Sequence, residues 1–279
     1  MKNLFILIVL LFCSLNLSAQ SINVMTYNLR FDNPNDGENS WPNRKEFLLS
    51  QITYFEPDIF GTQEGLEHQI LYLNKELKDY SFVGIGRDEG SKGEFSALFY
   101  NHVKLKIVES STFWLSETPN VPSVGWDAAL NRICTFALME DIKSQNKFWV
   151  FNTHFDHKGS TAREKSAELI IKQITSFNKE NYPVILMGDF NLRPDEKPIL
   201  ELSKALNDSK MISQAEPFGP DATFGGFNIC EPAKNRIDYI FISKENIIVN
   251  KYAVIVSVQE NKYPSDHFPV LVNITINKK

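Results

Sequence analysis

Apolar residues along this chain follow two rhythms. One alternates and the other recurs every three or four positions. Side chains change face at each residue of a strand and return after 3.6 residues of a helix, so the two rhythms separate the elements. Strands are predicted at Ile22 to Tyr27, Asp58 to Thr62, Tyr80 to Ile85, Ser96 to Tyr100, Leu105 to Ser111, Arg132 to Glu140, Lys147 to Thr153, from Val184, at Ile237 to Ile242, Lys251 to Val258 and Val270 to Ile276. Helices are predicted at Trp41 to Tyr54 with Pro42 near the start, at Leu66 to Leu77, at Thr161 to Phe177 with Ile170, Ile171 and Ile174 on one face, and from about Glu196 to Ala205. Many strands with interspersed helices predict a layered α/β fold. Ser111 to Asn131, bearing Pro and Trp, reads as a long irregular loop, a type that rigid strands often hold over a site.

The strands share an oddity at their ends. The run Val184 to Met187 continues into Gly188-Asp189-Phe190-Asn191. Alternation sends Asp189 and Asn191 to one face and Phe190 to the other. Asp and Asn often open turns or cap helices, but Asp195 is better placed to cap the next helix, which leaves Asp189 surplus for that role. Similar endings occur at Asn28, Glu64, His154, Asp238 and the Asp266-His267 pair. Turn chemistry explains one such ending more readily than six. Tyr27-Asn28-Leu29-Arg30 and Phe190-Asn191-Leu192-Arg193 also echo each other, as matching strands of two pseudo-symmetric sheets would.

In order, Met25-Thr-Tyr-Asn-Leu-Arg30, Thr62-Gln-Glu64, Asn152-Thr-His154, Gly188-Asp-Phe-Asn191, Arg236-Ile-Asp-Tyr239 and Ser265-Asp-His267 resemble the motif series of the endonuclease/exonuclease/phosphatase family, across nearly the whole chain after its leader. The resemblance implies a four-layer α/β sandwich, two mostly antiparallel β-sheets flanked by helices, with the site at one edge of the packed sheets. It implies metal-dependent hydrolysis of a phosphoester. A hard divalent cation on oxygen ligands, Mg²⁺ with Mn²⁺ as a substitute, would offset the substrate's negative charge. By this resemblance Glu64 is the leading metal ligand, with Asn28 and Asp266 as further ligands or their partners. Asp189 is the general base, Asn191 orients water or phosphate, and His267 contacts phosphate while Asp238 fixes its other nitrogen. His154 binds phosphate or protonates the leaving oxygen, with no carboxylate partner visible in the sequence.

Composition narrows the setting. Lys2, the apolar run Leu4 to Phe12 and the small residues Ser18 and Ala19 follow the order of a secretory leader, expected over residues 1–20. One catalytic domain is expected over residues 21–279, exported to the periplasm or beyond and not held in a membrane once the leader is cut. Cys134 and Cys230 remain, with a buried thiol expected at Cys134 and their pairing open. The formal charge of −5 gives no support for a basic nucleic-acid groove, although a local patch or a metal could offset it.

Further stretches resemble exported bacterial members of the family. Among them, Arg132 is expected to reach the phosphate as a fixed cation. Trp126, Asp156, His157 and Phe227 are expected to wall a compact pocket suited to a sugar or inositol phosphate. A secreted nuclease, a sphingomyelinase-like phospholipase that docks through the aromatic pair Phe113-Trp114, and a catalytically silent binding module stay open as alternatives. Oligomeric state is not legible.

Overall fold

A computed structural model describes residues 20–277; apart from Gln20, the expected leader lies outside the described residues. The first sheet is built from β1 (Gln20–Asn28), β2 (Ile59–Gln63), β3 (Tyr80–Val83), β4 (Leu98–Asn101), β11 (Ile247–Val254) and β12 (Val270–Ile276), in the order β11-β12-β1-β2-β4-β3. The second comprises β5 (Leu105–Trp114), β6 (Ile133–Asp141), β7 (Lys147–His154), β8 (Val184–Asp189), β9 (Asn207–Asp208) and β10 (Asp238–Ile242), in the order β5-β6-β7-β8-β10-β9. Each sheet holds one parallel pair, β1 with β2 and β7 with β8, and is otherwise antiparallel.

Two-residue periodicity sorts the buried apolar strand residues among three cores. Ile22 and Val24 of β1 meet Ile185 and Met187 of β8 and Val150 of β7 between the sheets. The alternate residues Met25 and Tyr27 pack under α1 (Trp41–Phe55) and α2 (Glu67–Glu76) through Leu48, Ile52, Ile70 and Leu73. On the far side Trp149, Phe151 and Leu186 pack under α3 (Ser160–Phe177) and α4 (Lys197–Ala205) through Ala167, Ile170, Ile199 and Leu202. Helix, sheet, sheet, helix is the four-layer arrangement. The echoed tetrapeptides anchor it symmetrically. Tyr27 and Leu29 are buried in one outer core, Phe190 and Leu192 in the other.

Three expected elements shift. β11 begins four residues earlier than predicted and ends at Val254, because its partner β12 begins at Val270 behind Pro269 and offers no ladder beyond the Val254–Val270 pair. β5 runs to Trp114, paired back to Ile133 on β6, so the start of the expected loop is strand. Its Phe113 and Trp114 are buried, which removes them as an exposed docking hairpin. Glu196, not Asp195, occupies the N-cap of α4; its carboxylate accepts from Arg193 N at 2.7 Å. A short 3-10 helix at Pro34–Asn39, not predicted, follows β1. Cys134 is buried, Cys230 is exposed, and both are free. No helix among the described residues is long and apolar enough to cross a membrane.

Candidate active site

The inward rows of the two sheets change character at one end of the sandwich. On β1 the row runs Ile22, Val24, Thr26, Asn28; on β7 it runs Phe148, Val150, Asn152, His154; on β8 it runs Ile185, Met187, Asp189. Strand alternation therefore carries the polar residues onto the inter-sheet face where the apolar core stops. Asn152 ties the sheets there: its Nδ2 donates to the carbonyls of Thr62 and Ala97, each at 2.9 Å, and its Oδ1 accepts from Gln63 Nε2 at 2.7 Å. Gly61 faces it, since a Cβ at that position would lie 2.6 Å from the Asn152 amide.

Asn28 is the hinge of the acidic group. Its Nδ2 donates to Glu64 Oε1 at 3.1 Å and to Asp189 Oδ2 at 3.0 Å, while its Oδ1 accepts from Arg30 N at 2.9 Å. Asn28 is fully buried and does not line the cavity; its contacts are those of a partner that spaces Glu64 and Asp189, one of the two roles expected for it, and the expected substrate contact is not seen. Ligand atoms of Glu64, Asp189 and His267 all lie within 4.8 Å of one another. Asp266, expected beside Glu64, stands outside this group, with Oδ2 3.8 Å from Arg30 Nε. Two carboxylates within reach of one point match the hard-oxygen preference of Mg²⁺ or Mn²⁺.

Two histidines flank Asp189 in opposite protonation states. His267 Nδ1 lies 2.9 Å from Asp238 Oδ2, and its Nε2 lies 3.7 Å from Asp189 Oδ2. Burial disfavours the imidazolium, but the charges of Asp238 and Asp189 outweigh it and raise the pKa well above the usual value. His154 Nε2 is 3.5 Å from Asp189 Oδ2. Burial, reinforced by Arg132 and Arg87, lowers its pKa well below the usual value. Asn191 Nδ2 donates to Phe155 O at 3.0 Å and faces His154 Nε2 at 3.1 Å, which places the proton of neutral His154 on Nδ1. That nitrogen points at Glu94 Oε2, 4.0 Å away, the carboxylate partner absent from the sequence reading. Asn191 reaches the site through a left-handed turn at φ 51 and not by strand alternation; its own N–H donates to Asp189 Oδ1 at 2.9 Å. Burial, and then the charge of Asp238, push the Asp189 carboxyl up to about 7.

These groups floor a cavity of about 580 Å³. Arg132, His157, Asp266 and Asn191 line it as expected, joined by Arg30, Glu94 and Phe224. Arg132 is 5% exposed; its Nη2 lies 3.1 Å from His157 Nδ1, and its Nε has no hydrogen-bond partner. Three expected wall residues do not line the cavity. Asp156 is spent on the loop beneath Arg132, accepting from the N–H groups of Ala129, Lys158 and Gly159. Trp126 N donates to Glu117 Oε2 at 3.2 Å, and the Phe227 ring lies 5.8 Å from the Arg44 guanidinium. Phe224 takes the aromatic position instead, its ring 4.9 Å from that of His267.

The model of the Endonuclease/Exonuclease/phosphatase family matches residues 25–267. A solved member of that family from Bacteroides thetaiotaomicron is 37% identical, with a TM-score of 0.89, covering 92% of this chain and 95% of its own. A mannosyl-6-phosphatase from Bacteroides thetaiotaomicron is also 37% identical, with a TM-score of 0.87, covering 91% of this chain and 100% of its own. Nocturnin from Rattus norvegicus is 23% identical over 268 residues, 86% of this chain, and the match spans only 60% of nocturnin's length.

Proposed function

Because the chain belongs to the endonuclease/exonuclease/phosphatase family, whose members hydrolyse phosphoesters, we propose that it is an exported, divalent-metal-dependent phosphatase of sugar phosphates. The observation that carries this reading is the cavity of about 580 Å³, with Arg30 and Arg132 facing it together with the His267 imidazolium. Such a volume suits a small molecule. Several fixed cations suit the terminal phosphate of a monoester, which carries more charge than a diester. The likeness to a mannosyl-6-phosphatase supports the same substrate class.

Glu64 would hold Mg²⁺ or Mn²⁺, with Asn28 setting its spacing from the Asp189 carboxylate. When bound, the ion neutralises phosphate charge and polarises the phosphoryl group. The chain's own residues supply the rest. Asp189 Oδ2 takes a proton from the attacking water as that water's oxygen bonds to phosphorus; the P–O bond to the sugar breaks on the opposite side, and the leaving oxygen takes a proton from solvent water. Asn191 N–H and Asn28 Nδ2 hold that carboxylate in place. His267 offers its Nε2 proton to a phosphate oxygen, and Arg132 binds another as a buried point of positive charge. Phe224 offers an apolar face to the group esterified to the phosphate.

Hexose phosphates, inositol phosphates, sphingomyelin and plasmid DNA, each assayed with Mg²⁺ or Mn²⁺, test the reading. A hexose 6-phosphate should be hydrolysed fastest, and EDTA should abolish that turnover. Plasmid DNA cleaved at a rate comparable to the sugar phosphate would sink it. Export rests on the pattern of Lys2, Leu4 to Phe12 and Ser18-Ala19. N-terminal sequencing of the protein recovered from its host should begin near Gln20, and a chain still starting at Met1 would contradict export.

A further inference from the structure

His157 and Arg132 meet on the cavity wall in a way that fixes which atom each can offer. Arg132 Nη2 lies 3.1 Å from His157 Nδ1. A guanidinium stays charged in a folded protein and carries only donors, so the Nδ1 lone pair accepts and the ring proton sits on Nε2. The Asp156 carboxylate cannot hold a proton on Nδ1, being 4.0 Å away and beyond hydrogen-bond reach. Burial, and then the charge of Arg132, lower the His157 pKa, which keeps the ring neutral. With Nδ1 occupied, Nε2–H is the one polar side-chain atom that His157 has for a ligand in the cavity it lines.

The backbone around this ring is clamped. Asp156 Oδ1 accepts from Lys158 N at 2.9 Å and from Gly159 N at 2.7 Å, and its Oδ2 accepts from Ala129 N at 3.1 Å. Arg163 Nη1 donates to Asp156 O at 3.2 Å. Gly159 passes so close to Asp127 that a Cβ there would lie 2.6 Å from the Asp127 carbonyl oxygen. His157 is therefore preorganised, and little further ordering is needed when a ligand binds it.

Depth separates the two partners. The side chains of Asp189, His267 and Arg132 are 2%, 4% and 5% exposed, against 43% for His157. A phosphate held by the buried cations directs its esterified sugar toward the mouth, where His157 stands. A neutral N–H at that height suits an uncharged oxygen. From this arrangement we propose that His157 is a specificity residue, donating its Nε2–H to a hydroxyl oxygen of the sugar while Arg132, bonded to its Nδ1, serves the phosphate. The proposal rests on the sugar-phosphatase reading above and adds the residue that recognises the sugar. Asp156 is the positioning residue that holds the turn carrying it.

Steady-state kinetics on the hexose 6-phosphate that is hydrolysed fastest and on p-nitrophenyl phosphate, which has a phosphate but no hydroxyl, test it. In His157→Ala the ratio of kcat/KM for the sugar phosphate to that for p-nitrophenyl phosphate should fall about 3- to 10-fold, the worth of one hydrogen bond between neutral groups. The loss should lie in KM. His157→Gln, which offers an acceptor to Arg132 and a donor to the hydroxyl, should recover most of the ratio. An unchanged ratio in His157→Ala, whether both rates fall together or neither does, would overturn the proposal alone. So would a His157 ring protonated on Nδ1 in the ¹⁵N NMR spectrum of wild type at pH 7, a measurement that needs no variant. Wild type that hydrolyses p-nitrophenyl phosphate but no hexose phosphate would overturn it together with the sugar-phosphatase reading.

Discussion

Asp189→Asn is expected to lower kcat/KM about 10²- to 10⁴-fold, the span of a lost general base. The substitution keeps the volume of the side chain and an oxygen for the Asn191 N–H, so the fold should survive. What disappears is the one carboxylate, among the described residues, that faces Asn28, His154 and His267 together. The same change should alter stability in a manner that separates a base from a structural polar residue. Burial and Asp238 raise the folded-state pKa of Asp189 to about 7. A raised folded-state pKa stabilises the fold fully below the unfolded-state pKa of about 3.9. That contribution is lost as pH rises through about 7. At 1.36 kcal/mol for each unit of pKa, the loss is on the order of 4 kcal/mol in the metal-free protein. Thermal unfolding in EDTA should therefore show Tm falling between pH 4 and pH 8 in wild type, and falling less in Asp189→Asn. Some slope should persist in the variant, because burial also raises Glu94 to about 7, against the opposing charge of Arg87. Divalent metal should raise the wild-type Tm more at pH 8 than at pH 5. Identical slopes in the two proteins would refute an acid destabilised by its site.

The inward rows explain how much of this centre was legible. A strand writes its two faces into alternate letters, so polar residues continuing an apolar inner row announce themselves at Asn28, His154 and Asp189. The fold was legible for the same reason, since most strands feed two cores and α1 to α4 carry single apolar stripes. Residues arriving on loops have no period. Glu94 lies in Glu89-Gly-Ser-Lys-Gly-Glu94, a stretch folded by hydrogen bonds such as Asp88 N to Lys92 O at 3.0 Å, and nothing in its letters points to His154. Asp156 shows the converse error. The likeness of its stretch to family members suggested a pocket wall, but three backbone N–H groups take its oxygens first. Trp126 and Phe227 both sit at positive φ, in turns whose direction composition does not encode. Asp266 lines the cavity but stands 3.8 Å from Arg30, a neighbour far away in sequence that no motif announces.

Asp238→Asn should lower kcat about 10²- to 10³-fold without removing any atom that lines the cavity, the size of effect seen when one transition-state donor is lost. Asp238 is 1% exposed; it is the ladder partner of Asp189 across β8 and β10, and its side chain is held against His267 Nδ1 at 2.9 Å. Burial alone would strip the proton from His267, and Asp238 is the largest influence holding it on. An amide can accept from Nδ1 but cannot offset the imidazolium charge, so the variant should carry neutral His267 near pH 7. The pH profile distinguishes this from simple damage. Activity needs Asp189 deprotonated and His267 protonated, so wild type should show an acidic limb and hold its rate well above pH 7. Removing Asp238 lowers both pKa values, since its charge raises each of them. The alkaline limb should move further, because Asp238 contacts His267 directly at 2.9 Å. A new alkaline loss of activity below about pH 8 is the expected signature, starting from the ordinary histidine value near 6.5. Stability should follow with the matching sign. A histidine whose folded pKa is raised stabilises fully below about 6.5, and that contribution fades as pH rises through the raised value. The Tm deficit of Asp238→Asn should therefore be larger at pH 6 than at pH 9. Wild-type kcat with an unchanged pH profile in this variant would mean that the His267 imidazolium has no part in the reaction.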